Sequence, residues 1–438
     1  MAAIRVGNNE VLLELDRMEK VAGLIGNQTF PLSAVTSVDV LADAFDGVRG
    51  LRSPGLAIPG KTRIGTWRGR GKTLAVARQG TPAVQLDLSG QKYARVVVSL
   101  PDAEDVAARI RAAAGLPAGQ QLTEEEVRFT SGMVQLAGTW AKPAGTVRGA
   151  ALILPGSGPV DRDADHKRMP LGISRDLAGA LADHGIASLR YDKRGTGASD
   201  GTFLAAGFRQ NTEDAAAALR WMVAQKAGDL PVFLVGHSEG GYHAAAVAAE
   251  PDTRLDGTVL LSTSAHTGFE TGRWQTAQIG DSLPVFVRLL LKVLRKDLVT
   301  IQAKSVEKIR TTTEDVVRMQ GRKINALWQR EFIDFDPIPY LERLQMPVLA
   351  ITGAKDVQVD PEDLDIIAAT VPGPVTTRKI EDLSHLLRRD PKAPTLSDYK
   401  RQIREPVDAE LLELVGSWVA EQANAGASGS SGTQQLAH

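Results

Sequence analysis

The chain has 438 residues, enough for two or three domains, and its 51 basic and 52 acidic side chains give a formal net charge of −1. This balance provides no global field that would attract nucleic acid, and the absence of cysteine excludes disulfides, thiol chemistry and Cys-ligated metals. The first residues show no secretory signal and no apolar stretch approaches the ~20 residues that span a bilayer, so we expect a soluble, cytoplasmic protein without a transmembrane segment.

Residues 1–116 have the pattern of a small β domain. Glycine, proline, asparagine and aspartate separate short β-rich runs, which is typical of antiparallel strands joined by turns. A single helix follows: Pro101 and Asp102 form its start, Val106, Ile110 and Ala113 mark a helical face, and Gly115-Leu116-Pro117 ends it. Residues 117–124 are the predicted linker. The predicted strands are residues 10–15, 34–40, 73–78, 83–88 and 93–99.

Seven or so strands followed by one C-terminal helix are the arrangement of the pleckstrin-homology fold. The stretch Gly50-Leu51-Arg52-Ser53-Pro54-Gly55, with Pro59-Gly60 and Gly65-Thr66-Trp67 after it, also resembles bacterial PH-like domains. The resemblance covers the first quarter of the chain and implies a PH-like β domain there.

A basic stretch lies inside this predicted domain. Between Gly47 and Leu86 there are eight basic residues and no acidic one. Such a stretch could bind an acidic or phosphate-bearing partner, such as a lipid head group, but a solvated hairpin surface is the interpretation we favour. Its Gly71-Lys72-Thr73 lacks the spacing of a nucleotide-binding loop, so no cofactor is expected there. The basic residues are Arg49, Arg52, Lys61, Arg63, Arg68, Arg70, Lys72 and Arg78.

Residues 125–422 alternate apolar strands with helices, which predicts a doubly wound, mostly parallel α/β sheet. The strands are near-continuous apolar runs, as expected where helices cover both faces. Residues 266–335, between the sixth and seventh strands, instead have helical periodicity and little strand character. Residues 423–438 are small and polar, and we expect a disordered tail. The apolar stripe of the insertion consists of Val285, Leu289, Leu290, Val293 and Leu294.

The fifth strand of this region, residues 232–235, leads into Gly236-His237-Ser238-Glu239-Gly240 and then into an alanine-rich helix. The spacing G-x-S-x-G between a strand and a helix is typical of a nucleophile elbow, a strained turn that only small neighbours tolerate. The turn exposes the hydroxyl near the positive N-terminus of the helix. The alternative is a glycine-rich loop without chemistry. We predict that Ser238 is a nucleophile.

A nucleophilic serine needs a base and an orienting acid, which follow it in the order acid, histidine in this type of fold. Asp356 follows the seventh strand, at the carboxyl end of the strands, where the functional residues of open α/β sheets lie. His385 follows the eighth strand and is the only histidine downstream of Asp356 outside the tail. We therefore predict a triad of Ser238, Asp356 and His385. The alternative acids, less favourably placed, are Asp360, Glu381 and Asp382.

With these motifs, residues from about 125 to 420 resemble the α/β-hydrolase superfamily, most closely bacterial serine esterases and aminopeptidase-like hydrolases. The likeness includes Leu152-Ile153-Leu154-Pro155-Gly156-Ser157-Gly158-Pro159-Val160-Asp161-Arg162-Asp163, where family members usually have His in place of Pro155. The resemblance implies an oxyanion hole formed by the N–H of Glu239 and an N–H of this loop, from Ser157 or Gly158. Residues 190–197 resemble the family's loop after the fourth strand, and we interpret them as ion-paired, structural turns.

In this family the position of residues 266–335 holds a cap over the active site. Its apolar stripe would line an acyl pocket or form the core of the cap itself. We expect a serine hydrolase that cleaves esters of small molecules, with amides or peptides as the alternative substrates. It would need no metal or cofactor. The competing hypothesis is a non-catalytic binding module on a hydrolase scaffold.

Overall fold

A computed structural model describes residues 2–41, 43–48, 50–69, 71–116, 122–166, 169–282, 298–319, 321–392, 395 and 398–431. The chain divides into two compact units, one of residues 1–120 with 404–406 and the other of residues 121–403 with 407–438. The division between residues 120 and 121 falls inside the predicted linker. No helix among the described residues is long and apolar enough to cross a membrane.

The described residues of the first unit form two sheets and two α-helices, α1 (Arg17–Gly23) and α2 (Ala103–Ala114). One sheet has the order β1-β2-β3 and the other the order β4-β8-β9-β7-β6-β5. Helix α2 ends at Gly115, whose φ of 66° suits glycine, as the sequence predicted. The strands are β1 (Ala3–Val6), β2 (Glu10–Glu14), β3 (Gln28–Pro31), β4 (Val35–Leu41), β5 (Leu51–Ile58), β6 (Thr62–Arg68), β7 (Lys72–Arg78), β8 (Ala83–Leu88) and β9 (Arg95–Ser99).

The small antiparallel β sheets predicted for this part of the chain are confirmed, but two details of the prediction were wrong. The unit has nine strands among its described residues instead of about seven, and β7 pairs with β9 in parallel. The parallel pair arises because β9 lies between β7 and β8, where Val96, Val97 and Val98 are buried. A strand this apolar is most stable in the interior of a sheet. The PH-like assignment itself stays a prediction.

Part of the basic stretch has contacts inside the unit. Arg78 forms an ion pair with the buried Glu19 at 2.7 Å. Arg63 donates to the carbonyl oxygen of Val48 at 2.7 Å and lies over the ring of Phe45. The described basic residues that are exposed are Arg52, Lys61, Arg68 and Lys72.

The second unit is built on an eight-stranded sheet of order β10-β11-β15-β12-β16-β17-β20-β21. The β10–β11 and β11–β15 pairs are antiparallel and the remaining pairs are parallel. The predicted mostly parallel α/β sheet is therefore confirmed. The strands of this unit are β10 (Thr123–Ser131), β11 (Val134–Lys142), β12 (Gly149–Leu154), β13 (Asp165–His166), β14 (Met169–Pro170), β15 (Ile186–Tyr191), β16 (Val232–His237), β17 (Gly257–Leu261), β18 (Val316–Met319), β19 (Arg322–Asn325), β20 (Val348–Gly353) and β21 (Val375–Ile380).

Helices cover both faces of this sheet, because successive strand residues point to opposite sides. Leu152 and Leu234 belong to one core with residues of the helices at 208–222, 239–248 and 363–370, whereas Ile153 and Val235 belong to the other with residues of the helices at 173–183 and 409–431. The described helices are α3 (Ile173–Asp183), α4 (Phe208–Met222), α5 (Glu239–Ala248), α6 (Gly268–Ser282), α7 (Leu298–Thr311), α8 (Ala326–Ile333), α9 (Ile338–Leu341), α10 (Asp363–Thr370), α11 (Tyr399–Gln402) and α12 (Ala409–Ser431).

The insertion between β17 and β20 contains helices, as predicted, but also an antiparallel pair, β18 and β19. The expectation of little strand character was therefore wrong at this place. The β-branched residues Val316, Val317 and Ile324, with Gly321 at a φ of 77°, provide a short hairpin pattern. The apolar stripe of residues 285–294 lies outside the described residues.

The expected tail begins as a helix. Helix α12 runs to Ser431, so the boundary at residue 422 was wrong. Alanine at positions 423, 425 and 427 favours continuation of the helix, and Ala423 is buried.

Candidate active site

Ser238 lies at a sharp turn between β16 and α5. Its backbone has φ 54° and ψ −119°, a strained conformation for a residue with a side chain. A Cβ atom on Gly236 would meet the carbonyl oxygen of Gly240, and one on Gly240 would meet the carbonyl oxygen of Leu154. Because both positions lack a side chain, the helix can start in contact with the sheet. The strand–turn–helix context of a G-x-S-x-G elbow is present.

The structure brings the three predicted triad residues together. The Oγ of Ser238 lies 3.0 Å from Nε2 of His385. Nδ1 of the same ring lies 2.8 Å from Oδ2 and 3.0 Å from Oδ1 of Asp356. An N–H at Nδ1 facing the carboxylate leaves a lone pair on Nε2, which can accept the proton of the serine hydroxyl.

Asp356 is the only one of the four candidate acids that contacts His385 in the described part of the chain. Its side chain is fully buried, and its Oδ1 accepts the N–H groups of Gln358 and Val359 at 2.8 and 2.9 Å. These two bonds fix the carboxylate that faces the imidazole.

The other candidate acids have different partners. Asp360 accepts the N–H of Glu362 at 3.1 Å, and Glu362 is the N-cap of α10. The turn formed by Asp360 ends before the helix starts. Asp382 pairs with Lys355 at 2.6 Å, and the backbone carbonyl of Glu381 accepts a hydrogen bond from Arg389.

His237 supports the backbone of the histidine loop. Its Nε2 lies 2.9 Å from the carbonyl oxygen of His385, so this nitrogen carries the hydrogen and donates it. Burial lowers the pKa of His237 to about 3, and the neighbouring His385 acts in the same direction. His237 is therefore a neutral donor at physiological pH, a role the sequence did not suggest.

The two predicted sources of an oxyanion hole adjoin Ser238. A Cβ placed on Gly156 would lie 3.4 Å from Cβ of Ser238, so the loop after β12 runs beside the elbow. Among the described residues, neither the N–H of Ser157 nor that of Glu239 has a hydrogen-bond partner. Donors left free beside a nucleophile are what an oxyanion hole requires.

The side chain of Glu239 is buried behind the elbow and accepts several hydrogen bonds. Its Oε1 lies 3.0 Å from Nε2 of His243 and 3.2 Å from Nζ of Lys193, and it also accepts from Asn211 and Trp328. Burial acts to raise the pKa of Glu239, but the charge of Lys193 and the bond from His243 outweigh it and lower the pKa to about 2. Glu239 therefore stays ionised. The sequence predicted a role only for the backbone N–H of Glu239, as an oxyanion-hole donor.

The loop after β15 consists of ion-paired turns, as interpreted from the sequence. Arg162 pairs with Asp192 at 2.8 Å, and Arg194 pairs with Asp214 at 2.7 Å. Lys193, however, points toward the elbow. Its Nζ donates to the carbonyl oxygen of Gly156 at 2.7 Å as well as to Glu239.

Comparison with known proteins gives the family of this chain. Residues 171–392, about half of the chain, match the serine aminopeptidase S33 family. The chain belongs to this family. The S33 match includes Ser238, Asp356 and His385 but starts after the loop of residues 155–158. The α/β-hydrolase resemblance predicted from the sequence is thereby confirmed.

A curated relative of this S33 family member is an esterase by name. Esterase EstD of Thermotoga maritima is 26% identical over 276 residues, which are 62% of this chain and 62% of that protein. The chain thus matches less than two thirds of that relative's length. Among solved structures, Est1E from Butyrivibrio proteoclasticus with bound ferulic acid has 17% identity, a TM-score of 0.46 and coverage of 68% of this chain and 98% of its own. The esterase domain of a Rhodothermus marinus protein has 20% identity, a TM-score of 0.43 and the same coverages.

Proposed function

We propose that this chain is a serine hydrolase that cleaves carboxylic esters of small molecules through Ser238, His385 and Asp356. The hydrogen-bonded chain from the Oγ of Ser238 through the ring of His385 to the buried carboxylate of Asp356 carries the proposal. This is the arrangement that activates a hydroxyl as a nucleophile near neutral pH.

The reaction would proceed in two halves. Oγ of Ser238 attacks the ester carbonyl carbon while its proton passes to Nε2 of His385, and Asp356 stabilises the imidazolium. The tetrahedral oxyanion then collapses, the bond to the alcohol breaks, and the alcohol leaves with the proton from Nε2. Water attacks the acyl-enzyme with the same histidine as base, which releases the acid and returns the proton to Ser238.

Esters are proposed ahead of amides because the relative EstD is an esterase by name and shares 26% identity with this chain. The family description, serine aminopeptidase, favours the alternative of an amide or peptide substrate. A direct comparison of p-nitrophenyl esters of graded chain length with aminoacyl p-nitroanilides decides between them. Faster turnover of the anilides would overturn the ester assignment but leave the serine mechanism.

The mechanism itself is tested with Ser238→Ala. This substitution should remove at least ~10³ of turnover. The fold should remain intact, because the half-buried hydroxyl has His385 as its hydrogen-bond partner and little else. A mutant that keeps wild-type turnover, or a wild-type protein that hydrolyses neither esters nor anilides, would contradict the proposal. The second result would favour the non-catalytic binding module.

A further inference from the structure

Lys193 connects the two halves of the proposed oxyanion hole. Its ammonium group is buried, with 6% of the side chain exposed, and it donates to the carbonyl oxygen of Gly156 on one side and to the carboxylate of Glu239 on the other. A buried ammonium is stable only where such partners are fixed. The lysine therefore holds the carbonyl of Gly156 at a defined position relative to the elbow.

Fixing this carbonyl also fixes the next N–H group. The C=O of Gly156 and the N–H of Ser157 belong to one planar trans peptide unit, in which the two bonds point in opposite directions. When Lys193 holds the oxygen, the N–H of Ser157 must point away from Lys193. Without the lysine this unit would be free to rotate, because glycine tolerates a wide range of backbone angles.

Glu239 fixes the lysine and contributes the other N–H. Its carboxylate is held in turn by His243 at 3.0 Å and Asn211 at 3.2 Å, so the anchor for Lys193 is itself rigid. The same residue follows Ser238 directly and carries the second proposed oxyanion donor on its backbone. The ion pair thus connects the residue that carries one proposed donor to the carbonyl of Gly156, whose peptide unit carries the other.

We propose that Lys193 and the carboxylate of Glu239 are positioning residues that orient the peptide between Gly156 and Ser157, so that the N–H of Ser157 faces the oxyanion. This inference rests on the proposed function of Ser238. It also selects between the two loop candidates. The N–H of Gly158 shares its peptide unit with the carbonyl of Ser157, and that carbonyl accepts no hydrogen bond from any described residue, so no comparable contact orients this second unit.

The kinetic test uses Lys193→Met, which keeps the length of the side chain and removes the charge, with Lys226→Met as the matched control. Lys226 forms an ion pair with Glu125 at 2.7 Å, partly exposed and outside the site. Lys193→Met should lower kcat for p-nitrophenyl acetate by about 10²–10³, the effect of losing one oxyanion donor, and leave KM nearly unchanged. Affinity for a trifluoromethyl ketone, which forms the tetrahedral adduct, should fall in parallel. Lys226→Met should change none of these values.

The pH profile separates this role from damage to the triad. If Lys193 acts only on the oxyanion hole, the pH at which activity reaches half its maximum should be the same in Lys193→Met and in the wild type. A shifted profile with the same loss would show that the lysine acts through His385 instead and would overturn the proposal.

Lys193→Met alone leaves the buried carboxylate of Glu239 without its ion-pair partner, so a double variant is included in case the single variant does not fold. Lys193→Met with Glu239→Gln leaves no unpaired buried charge, so the double variant should fold. It should lose about as much kcat as the single variant, because both substitutions remove the same interaction, the contact of Lys193 with Glu239 and Gly156. A folded double variant with wild-type kcat would overturn the inference. Its crystal structure, which needs no turnover, should show the Gly156–Ser157 peptide rotated, and an unchanged peptide would likewise overturn it. A wild-type protein without esterase activity would contradict the proposed function alone.

Discussion

At the scale of single residues, the proposed acid and the proposed base are each held by hydrogen bonds from neighbouring groups. Asp356 accepts two backbone N–H groups, and the backbone of His385 accepts the N–H of His237. Such support matters because a base or acid that can rotate loses the alignment on which proton transfer depends.

The acid has a direct test with a matched control. Asp356→Asn keeps an oxygen for the N–H groups of Gln358 and Val359 but favours the wrong tautomer of His385, so kcat should fall by up to ~10⁴. Asp360→Asn, in the adjacent turn, should keep its turnover and change the free energy of unfolding by no more than about 0.5 kcal/mol. Steady-state kinetics and urea unfolding of both variants check this. An exchange of the two phenotypes would mean that the acid is misassigned.

Buried histidines should make the stability of the fold depend on pH. The pKa of His237 is about 3 in the folded chain against 6.5 in the unfolded chain, so only the unfolded state binds this proton between those values. Stability is therefore complete above pH 6.5 and is lost as the pH falls, at about 1.4 kcal/mol per pH unit for one such group. Burial lowers the pKa of His243 as well, which adds a contribution of the same sign.

The contribution of His237 can be isolated with His237→Gln. Urea unfolding between pH 6.5 and 4.5 avoids the window in which Glu239 titrates, because its pKa falls from 4.5 to about 2 on folding. The variant should show a shallower dependence than the wild type. Identical slopes would mean that His237 is not neutral in the folded state.

These residues differ in how far sequence could predict them. Ser238, Asp356 and His385 each follow a strand of the parallel sheet, so their order along the chain and the topology together place them at one edge. The contact of Lys193 with Gly156 and Glu239 joins two loops and the start of helix α5, which are far apart in the sequence. No local pattern marks such a contact, which is why the loop of Lys193 was interpreted as structural alone.

At the scale of elements, the elbow depends on glycine at two positions for steric reasons. Gly240→Ala should destabilise the second unit and lower activity, because its Cβ would meet backbone oxygens of Leu154 and Pro155, which cannot move as a flexible side chain can. Gly179→Ala is the control, since nothing lies within 4 Å of its Cβ position in α3. That change should stabilise the helix by up to about 1 kcal/mol. Thermal unfolding of both variants measures the difference, and equal midpoints would contradict the steric account.

Strands that are continuous apolar runs were predicted well, and strands with a weak apolar pattern were not. The apolar runs of β7, β8, β12, β16 and β20 predict buried strands, and the structure has buried strands there. Strand β5 lies at the edge of its sheet with Leu51 and Ile58 exposed, so its sequence lacks the alternation of a half-buried strand. The parallel pairing of β7 with β9 could not be predicted either, because pairing between strands that are not consecutive depends on burial in the finished sheet.

At the scale of the whole molecule, the hydrophobic cores belong to separate units. Among the described residues, the two cores of the first unit draw on residues 2–110, and the two main cores of the second draw on residues 127–423. Units with cores of their own are expected to fold independently.

Removal of residues 1–121 tests this independence. The remaining chain should be soluble and should hydrolyse a small ester such as p-nitrophenyl acetate, because Ser238, Asp356 and His385 all lie in the second unit. Size-exclusion chromatography and steady-state kinetics compare it with the full chain. Aggregation, or loss of turnover in a folded product, would show that the first unit is part of the catalytic architecture.

Covalent labelling shows whether Ser238 is an activated nucleophile. A fluorophosphonate probe should modify the full chain at one position, and peptide mass spectrometry should locate the label on Ser238. Labelling should disappear in Ser238→Ala and fall sharply in a His385→Ala variant, since the probe reacts only with a serine that a base has activated. A folded wild-type protein that does not react, or a label that persists in Ser238→Ala, would contradict the account.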